Sequence, residues 1–308
     1  LKIRNVGPAN MSGRITSIDV VTANPKIIYV GAASGGVWKS ENGGSAWTPI
    51  FDDQRTQNIG AVAIQQSKPE VIWVGTGEGN PRNSMNLGAG IFKSIDGGTS
   101  WKFMGLKATK TIHRIIIDPN DHNTVYVGAM GDPFTENEHR GLYKTIDGGE
   151  SWTKILFSNT SSGIADLVMD KSNPKKIFAA LYEHHRTPYS FVSGGKGSGL
   201  YISKDSGESW NIIGPEQGFP EGELGRIGIA IAPSNSNRIY AKVEAKKNVL
   251  YRSDDGGSTW MVINENSKFT NNRPFYFQDL AVDTADEDRL YNIYQPLYVS
   301  YTGGKTFD

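Results

Sequence analysis

The sequence predicts an all-β fold: a β-propeller of four-stranded antiparallel blades, five full blades plus most of a sixth, within a larger ring of seven or more. Three observations carry this prediction. A box of the form Ser/Thr-x-Asp/Asn-x-Gly-x-x-Trp recurs six times, with its aromatic at Trp47, Trp101, Trp152, Trp210, Trp260 and, in a worn copy, Phe307. Those positions lie 47 to 58 residues apart, and five of the seven tryptophans fall in this one slot, so the period belongs to a structural unit. Short β-rich runs flank each box, while no segment sustains the 3.6-residue apolar rhythm of a helix.

Each part of the unit has a local reason. In the third unit Ile115-Ile116-Ile117 and Thr124-Val125-Tyr126-Val127-Gly128 read as strands A and B. Gly141-Leu142-Tyr143-Lys144-Thr145 reads as strand C, and Trp152-Thr153-Lys154-Ile155-Leu156 as strand D. The box is the C–D turn. Its carboxylate or amide (Asn42, Asp96, Asp147, Asp205, Asp255) accepts backbone N–H groups across the turn, and its glycine takes the positive φ the turn needs. The indole opens strand D and can bury against the neighbouring unit. A lone unit cannot cover its own faces; stacking around an axis does. The units run over 12–52, 58–106, 111–157, 162–214, 223–265 and 274–308, one propeller domain over 1–308. Residues 1–6 read as a strand D that closes the ring on its last blade. The sixth unit, however, begins its own strand D at Thr306-Phe307-Asp308, and Leu1 stands where Met would. Both point to a processed or partial chain.

Composition narrows the function classes. Lys plus Arg and Asp plus Glu are 32 each, and zero net charge argues against bulk nucleic-acid or anionic-membrane binding. Apolar residues make up 37% and glycine adds 36 residues, enough for a folded core. No apolar run reaches the length of a membrane span. The chain has no cysteine, which removes disulfides, thiol nucleophiles and cysteine-held metals. No cofactor or metal is expected.

The box is that of the Asp-box, or BNR, repeat, and the chain resembles Asp-box propellers over its whole length. The family includes sialidases, xyloglucanases and sortilin-type receptors. The nearer likeness is to bacterial secreted proteins described as sortilin-like or BNR-repeat glycosyl hydrolases, through Arg4-Asn5-Val6-Gly7-Pro8, Ser12-Gly13-Arg14-Ile15, Gly75-Thr76-Gly77-Glu78 and Ser193-Gly194-Gly195-Lys196-Gly197-Ser198-Gly199. The resemblance implies a secreted, surface or periplasmic propeller that binds a glycan, peptide or protein. It also admits a glycoside hydrolase, or a structural subunit of an envelope assembly. Two family signatures are altered. The sialidase Arg-Ile-Pro becomes Arg14-Ile15-Thr16, and the aspartate that xyloglucanases place before Gly-Gly in the first B–C loop is absent from Ala32-Ala33-Ser34-Gly35-Gly36.

In a propeller the D–A and B–C loops share one face and strand A lines the axis. Long B–C loops are expected at 76–90, 129–140 and 182–199, all in blades two to four, and loops longer than a fold requires tend to carry function. Aligned on its end, strand A carries Ser17, Ala61, Arg114, Asp166, Gly228 and Asp279 at one level, with Arg14, His113, Arg226 and Gln278 nearer the loops. The candidate ligand-binding residues are Arg14, Arg82, Arg114, Glu138, His139, His184, Arg186, Tyr189 and Arg226. The pool for a hydrolase carboxylate pair is Asp166, Asp279, Glu78, Glu138 and Glu183. The alternative for Arg114, Asp166 and Asp279 is an inter-blade ion-pair plug.

Overall fold

The computed structural model describes residues 13–82, 85–270, 273–293 and 296–308; the closing strand expected at 1–6 lies outside the described residues. Six antiparallel sheets follow one another along the chain. The first orders β1 (Ile15–Val20), β2 (Ile28–Ala32), β3 (Gly36–Ser40) and β4 (Thr48–Pro49). The second orders β5 (Ile59–Ile64), β6 (Ile72–Thr76), β7 (Ile91–Ser94) and β8 (Lys102–Phe103). The third holds β9 (Ile112–Ile117), β10 (Val125–Ala129), β11 (Gly141–Thr145) and β12 (Thr153–Leu156). The fourth holds β13 (Ser162–Met169), β14 (Ile177–Arg186), β16 (Gly199–Ser203) and β17 (Asn211–Ile213), with β15 (Phe191–Ser193) paired to the far end of β14. The fifth holds β18 (Ile227–Ala232), β19 (Asn235–Val243), β20 (Val249–Ser253) and β21 (Met261–Asn264). The sixth holds β22 (Leu280–Val282), β23 (Leu290–Ile293) and β24 (Leu297–Ser300). There Val299 and Asp308 exchange backbone hydrogen bonds of 3.1 and 2.9 Å, the start of a fourth strand. Helix among the described residues amounts to α1 (Ser267–Thr270) and two 3-10 turns.

The innermost strands stitch the blades together. Ser17 accepts from the Val62 amide at 2.9 Å, Asp19 from the Ile64 amide at 2.8 Å and Asp166 from the Ile229 amide at 2.9 Å. Between blades lie separate apolar layers, such as Trp73, Ile91, Ile112 and Val127 between the second and third. Some contacts leave no room for a side chain: a Cβ on Gly228 would sit 1.8 Å from the Gln278 carbonyl oxygen. On β1, by contrast, Ile15 and Ile18 are 59% and 65% exposed, so the inner strand of the first blade is the least covered.

The boxes are built as their chemistry requires. In the second, Ser94 Oγ donates to Asp96 Oδ1 at 2.8 Å and accepts from the Gly98 amide at 2.9 Å, while Asp96 Oδ1 accepts from the Ser100 amide at 2.9 Å. The same three bonds recur around Asp147, Asp205 and Asp255. Asn42 accepts from the Ala46 amide through its side-chain oxygen. In the worn copy the Thr302 hydroxyl stands in, accepting from the Thr306 amide at 3.0 Å. Hydroxyl bonds from Ser100 and Ser209 pull Asp96 and Asp205 down to about 2. The indoles of Trp101 and Trp152 donate to Ile50 and Met104 carbonyls of the preceding blade, both at 2.7 Å. Trp210 and Trp260 cap their own turns instead, donating to Gly207 and Gly257 at 3.2 Å. Trp47 has no described blade before it and is 39% exposed. Of the other strand aromatics, Trp73 and Tyr143 are buried, while Trp38 is half-buried.

Candidate functional site

A repeated backbone irregularity aims the polar residues of strand A. The pairing of β9 with β10 skips His113, that of β13 with β14 skips Ala165, and those of β1 and β5 skip Thr16 and Gly60. Such a bulge twists the strand and re-aims the side chains beside it. Arg114 and Asp166 each follow a bulge, and they meet at the axis.

The floor of the axial mouth is an ion-pair triad. Arg114 Nε donates to Asp166 Oδ1 at 2.8 Å, and its Nη2 donates across the ring to Asp279. Asp166 also accepts from the Leu167 and Ile229 amides. Burial would raise the Asp279 carboxyl, but the charges of Arg114, Arg226 and Lys242 outweigh it and hold it below the usual range. The Asp279 side chain stays 37% exposed, so it is paired and reachable together. Toward the loop face lies a second tier. Arg226 Nη2 donates to Asn80 Oδ1 at 2.8 Å and to His113 Nε2 at 2.9 Å, and Nη1 donates to the Phe275 carbonyl at 2.6 Å. Since His113 Nε2 accepts, its proton sits on Nδ1, which has no partner among the described residues. Burial, then the charges of Arg114 and Arg226, keep this ring neutral. Arg14 clamps Glu78 with bonds of 2.7 and 2.5 Å at the first blade's side of the mouth.

Several residues expected to meet ligand are turned to structure. The stretch 182–199 is not a free loop: β14 continues to Arg186 and pairs with β15 as a hairpin, because His184, His185 and Arg186 keep strand register with Ser193, Val192 and Phe191. That register turns His184 inward. It is 1% exposed, stacked on Tyr182 with centroids 5.0 Å apart, and its Nδ1 lies 3.4 Å from buried Arg140. Arg226 is equally buried. Both can shape a site but cannot touch its occupant. Glu183 accepts from the Gly197 amide at 2.8 Å and from Asn159 at 3.1 Å, and Glu78 is fully buried against Arg14. Both carboxylates are engaged by these partners. Glu138 and His139 are exposed on the third blade's loop, and Tyr189 stands 91% exposed at the hairpin tip. At the position of the missing first-blade aspartate, exposed Ser34 accepts from Asn86 at 2.7 Å.

The rim brings forward residues that the sequence reading passed over. The link into the sixth blade carries Phe275, Tyr276 and Phe277, all half-buried. Tyr276 lies under the Arg82 guanidinium of the second blade at 5.6 Å, and Phe275 meets Phe191 of the hairpin edge-on at 5.0 Å. Arg186 covers the Phe191 ring at 5.0 Å. The signal was three consecutive aromatics after Pro274 in a D–A link. Two ionisable groups nearby were also unforeseen. Lys242, 2% exposed and bonded to Asn292 Oδ1 at 2.7 Å, is driven by burial down to about 8. Glu244 accepts from Ser193 Oγ at 2.9 Å and from the Arg226 amide at 2.8 Å, and burial raises its carboxyl.

Comparison with known proteins agrees with the resemblance carried by the boxes. The family described as Sortilin-Vps10 (sortilin, neurotensin receptor 3) matches residues 89–218. A xyloglucanase of Paenibacillus is 23% identical over 99% of this chain and 32% of its own length. A xyloglucanase of Acetivibrio thermocellus is 24% identical over 85% of this chain and 33% of its own. The chain thus spans about a third of these relatives. Among solved structures, the GH74 xyloglucanase from Xanthomonas campestris superposes with a TM-score of 0.62 at 16% identity, over 95% of this chain and 52% of that one. An ancestral GH74 enzyme superposes with a TM-score of 0.65 at 20% identity, over 93% and 35%. These likenesses show the fold: an all-β propeller with six blades here.

Proposed function

We propose that this chain is the glycan-recognising part of a propeller that acts on xyloglucan-type polysaccharide outside the cell. The observation that carries the proposal is the meeting of an aromatic edge with an open polar floor. Phe275, Tyr276, Phe277 and Phe191 lie half-buried at the loop side of the axial strands, and Arg114 and Asp279 are partly exposed charges at the axis. Aromatic faces cover the apolar sides of pyranose rings, while paired charges exchange hydrogen bonds with hydroxyls without favouring a charged ligand. The zero net charge agrees. Relatives named xyloglucanases match nearly the whole chain, which supports a β-glucan over a peptide as the occupant.

The sequence-derived carboxylates at the axis serve this binding role. Asp166 and Asp279 share Arg114, and Asp279, held ionised by the neighbouring arginines, is a poor proton donor. A second reading, hydrolysis by this chain itself, is favoured by Glu244, whose burial keeps a proton on it more readily than on an ordinary glutamate. Retardation of the chain in gels containing xyloglucan, set against cellulose and mannan derivatives, tests the first reading. Tyr276→Ala should abolish the retardation, and equal migration in all gels would refute it. Release of reducing ends from xyloglucan, absent in Glu244→Gln, would establish the second reading.

A further inference from the structure

A pocket of about 440 Å³ opens on the loop face between blades two and three, apart from the axial mouth. One wall is the 3-10 turn Lys107–Thr109 with Lys110 after it; the other is the loop from Asp132 to His139. Neither Lys107 nor Lys110 has an ion-pair partner among the described residues, and Lys110 is half-buried. Behind the far wall Arg140 is fully buried and donates to the Asp132 carbonyl oxygen. It too has no acidic partner within ion-pair distance among the described residues. The wall is rigid: Asn137 donates to the Thr135 carbonyl at 3.1 Å and accepts from the His139 amide at 3.2 Å.

The backbone marks Lys110 further. It holds φ 60° and ψ −42°, in the positive-φ half of conformational space where glycine would sit with less strain. The Gly88 amide, donating to its carbonyl at 2.6 Å, holds it there. Backbone strain of this kind is kept most often where a site depends on it. Asp132 supplies the opposite chemistry: its Oδ1 accepts from the Phe134 amide at 2.9 Å, leaving Oδ2 for a hydroxyl. Ala108 adds a small apolar surface.

We infer that this pocket binds an acidic sugar of the hexuronate class, its carboxylate on Lys107 and Lys110 and a ring hydroxyl on Asp132. Two cations call for an anion, the aspartate disfavours a bare inorganic one, and the volume suits one or two sugar rings. The inference does not rest on neutral-glycan binding at the mouth. Calorimetric titration of the chain with glucuronate and galacturonate, against glucose and sodium sulfate at matched ionic strength, tests it. A uronate should bind where glucose and sulfate do not. Lys110→Gly, which removes the charge and relaxes the backbone, should weaken uronate binding about tenfold while leaving the melting temperature equal or higher. Lys107→Ala should weaken it similarly, and both variants should keep xyloglucan retardation. Equal binding of sulfate or of glucose, or unchanged uronate binding in Lys110→Gly, would overturn the inference.

Discussion

Arg114→Met is the most telling perturbation of the axial mouth, because one guanidinium joins three blades. The substitution keeps most of the side-chain volume and removes two charge-assisted bonds, one to Asp166 and one to Asp279. Asp166 is 8% exposed and retains two backbone amides, so it loses part of its stabilisation. Asp279 keeps no side-chain hydrogen-bond partner among the described residues but, at 37% exposed, can hydrate. Stranding a buried charge costs about 3–5 kcal/mol, and solvent access to Asp279 trims that toward the lower end. The expected loss is about 3 kcal/mol, read as a shift of the urea midpoint. Asp279→Asn alone should cost about 1 kcal/mol, and the double variant should be more stable than the sum of the two losses implies. The pH dependence has a definite sign. The folded Asp279 carboxyl lies below its unfolded value. Its contribution is therefore present above about pH 4 and lost as pH falls through the folded value. A loss below about 1 kcal/mol, or strict additivity of the two variants, would refute the triad as the structural floor.

Other expectations follow from the same structure. Keeping Lys242 protonated in its buried site costs about 3 kcal/mol, from its fall from 10.5 to about 8. Lys242→Met should therefore match or exceed the wild type at pH 7. The wild type should regain ground between pH 8 and 10.5, as the unfolded lysine loses the proton that the folded one has already released; parallel urea titrations across that range would reveal a flat difference if the reasoning fails. Asp205→Ala should destabilise the fourth blade's turn more than Asn42→Ala does the first, read by hydrogen exchange of strands β16 and β17. Removal of the Phe275 ring should loosen the hairpin tip at Phe191, seen as faster proteolysis near Tyr189.

How much of this was legible in the sequence differs between fold and site. The boxes were legible because each closes on itself: Ser94, Asp96, Gly98 and Ser100 lie within seven consecutive residues and bond to one another. Such chemistry repeats wherever the residues repeat, and the spacing of the repeats specifies a blade. The level of Arg114, Asp166 and Asp279 on their strands was legible too, through the periodicity of strand A. Their partners were not. Arg114 meets Asp279 from 165 residues away and Arg226 meets Asn80 from 146, and no local pattern encodes a contact across the axis. His184 looked like a loop residue until strand register turned it into the core. Tyr276 looked like part of a linker until ring geometry set it under Arg82. The sequence alone determined the architecture because turns and strands are local. Only the tertiary structure decided which charges are neutralised, which are buried and which remain open to a ligand, because those outcomes depend on blades meeting around a common axis.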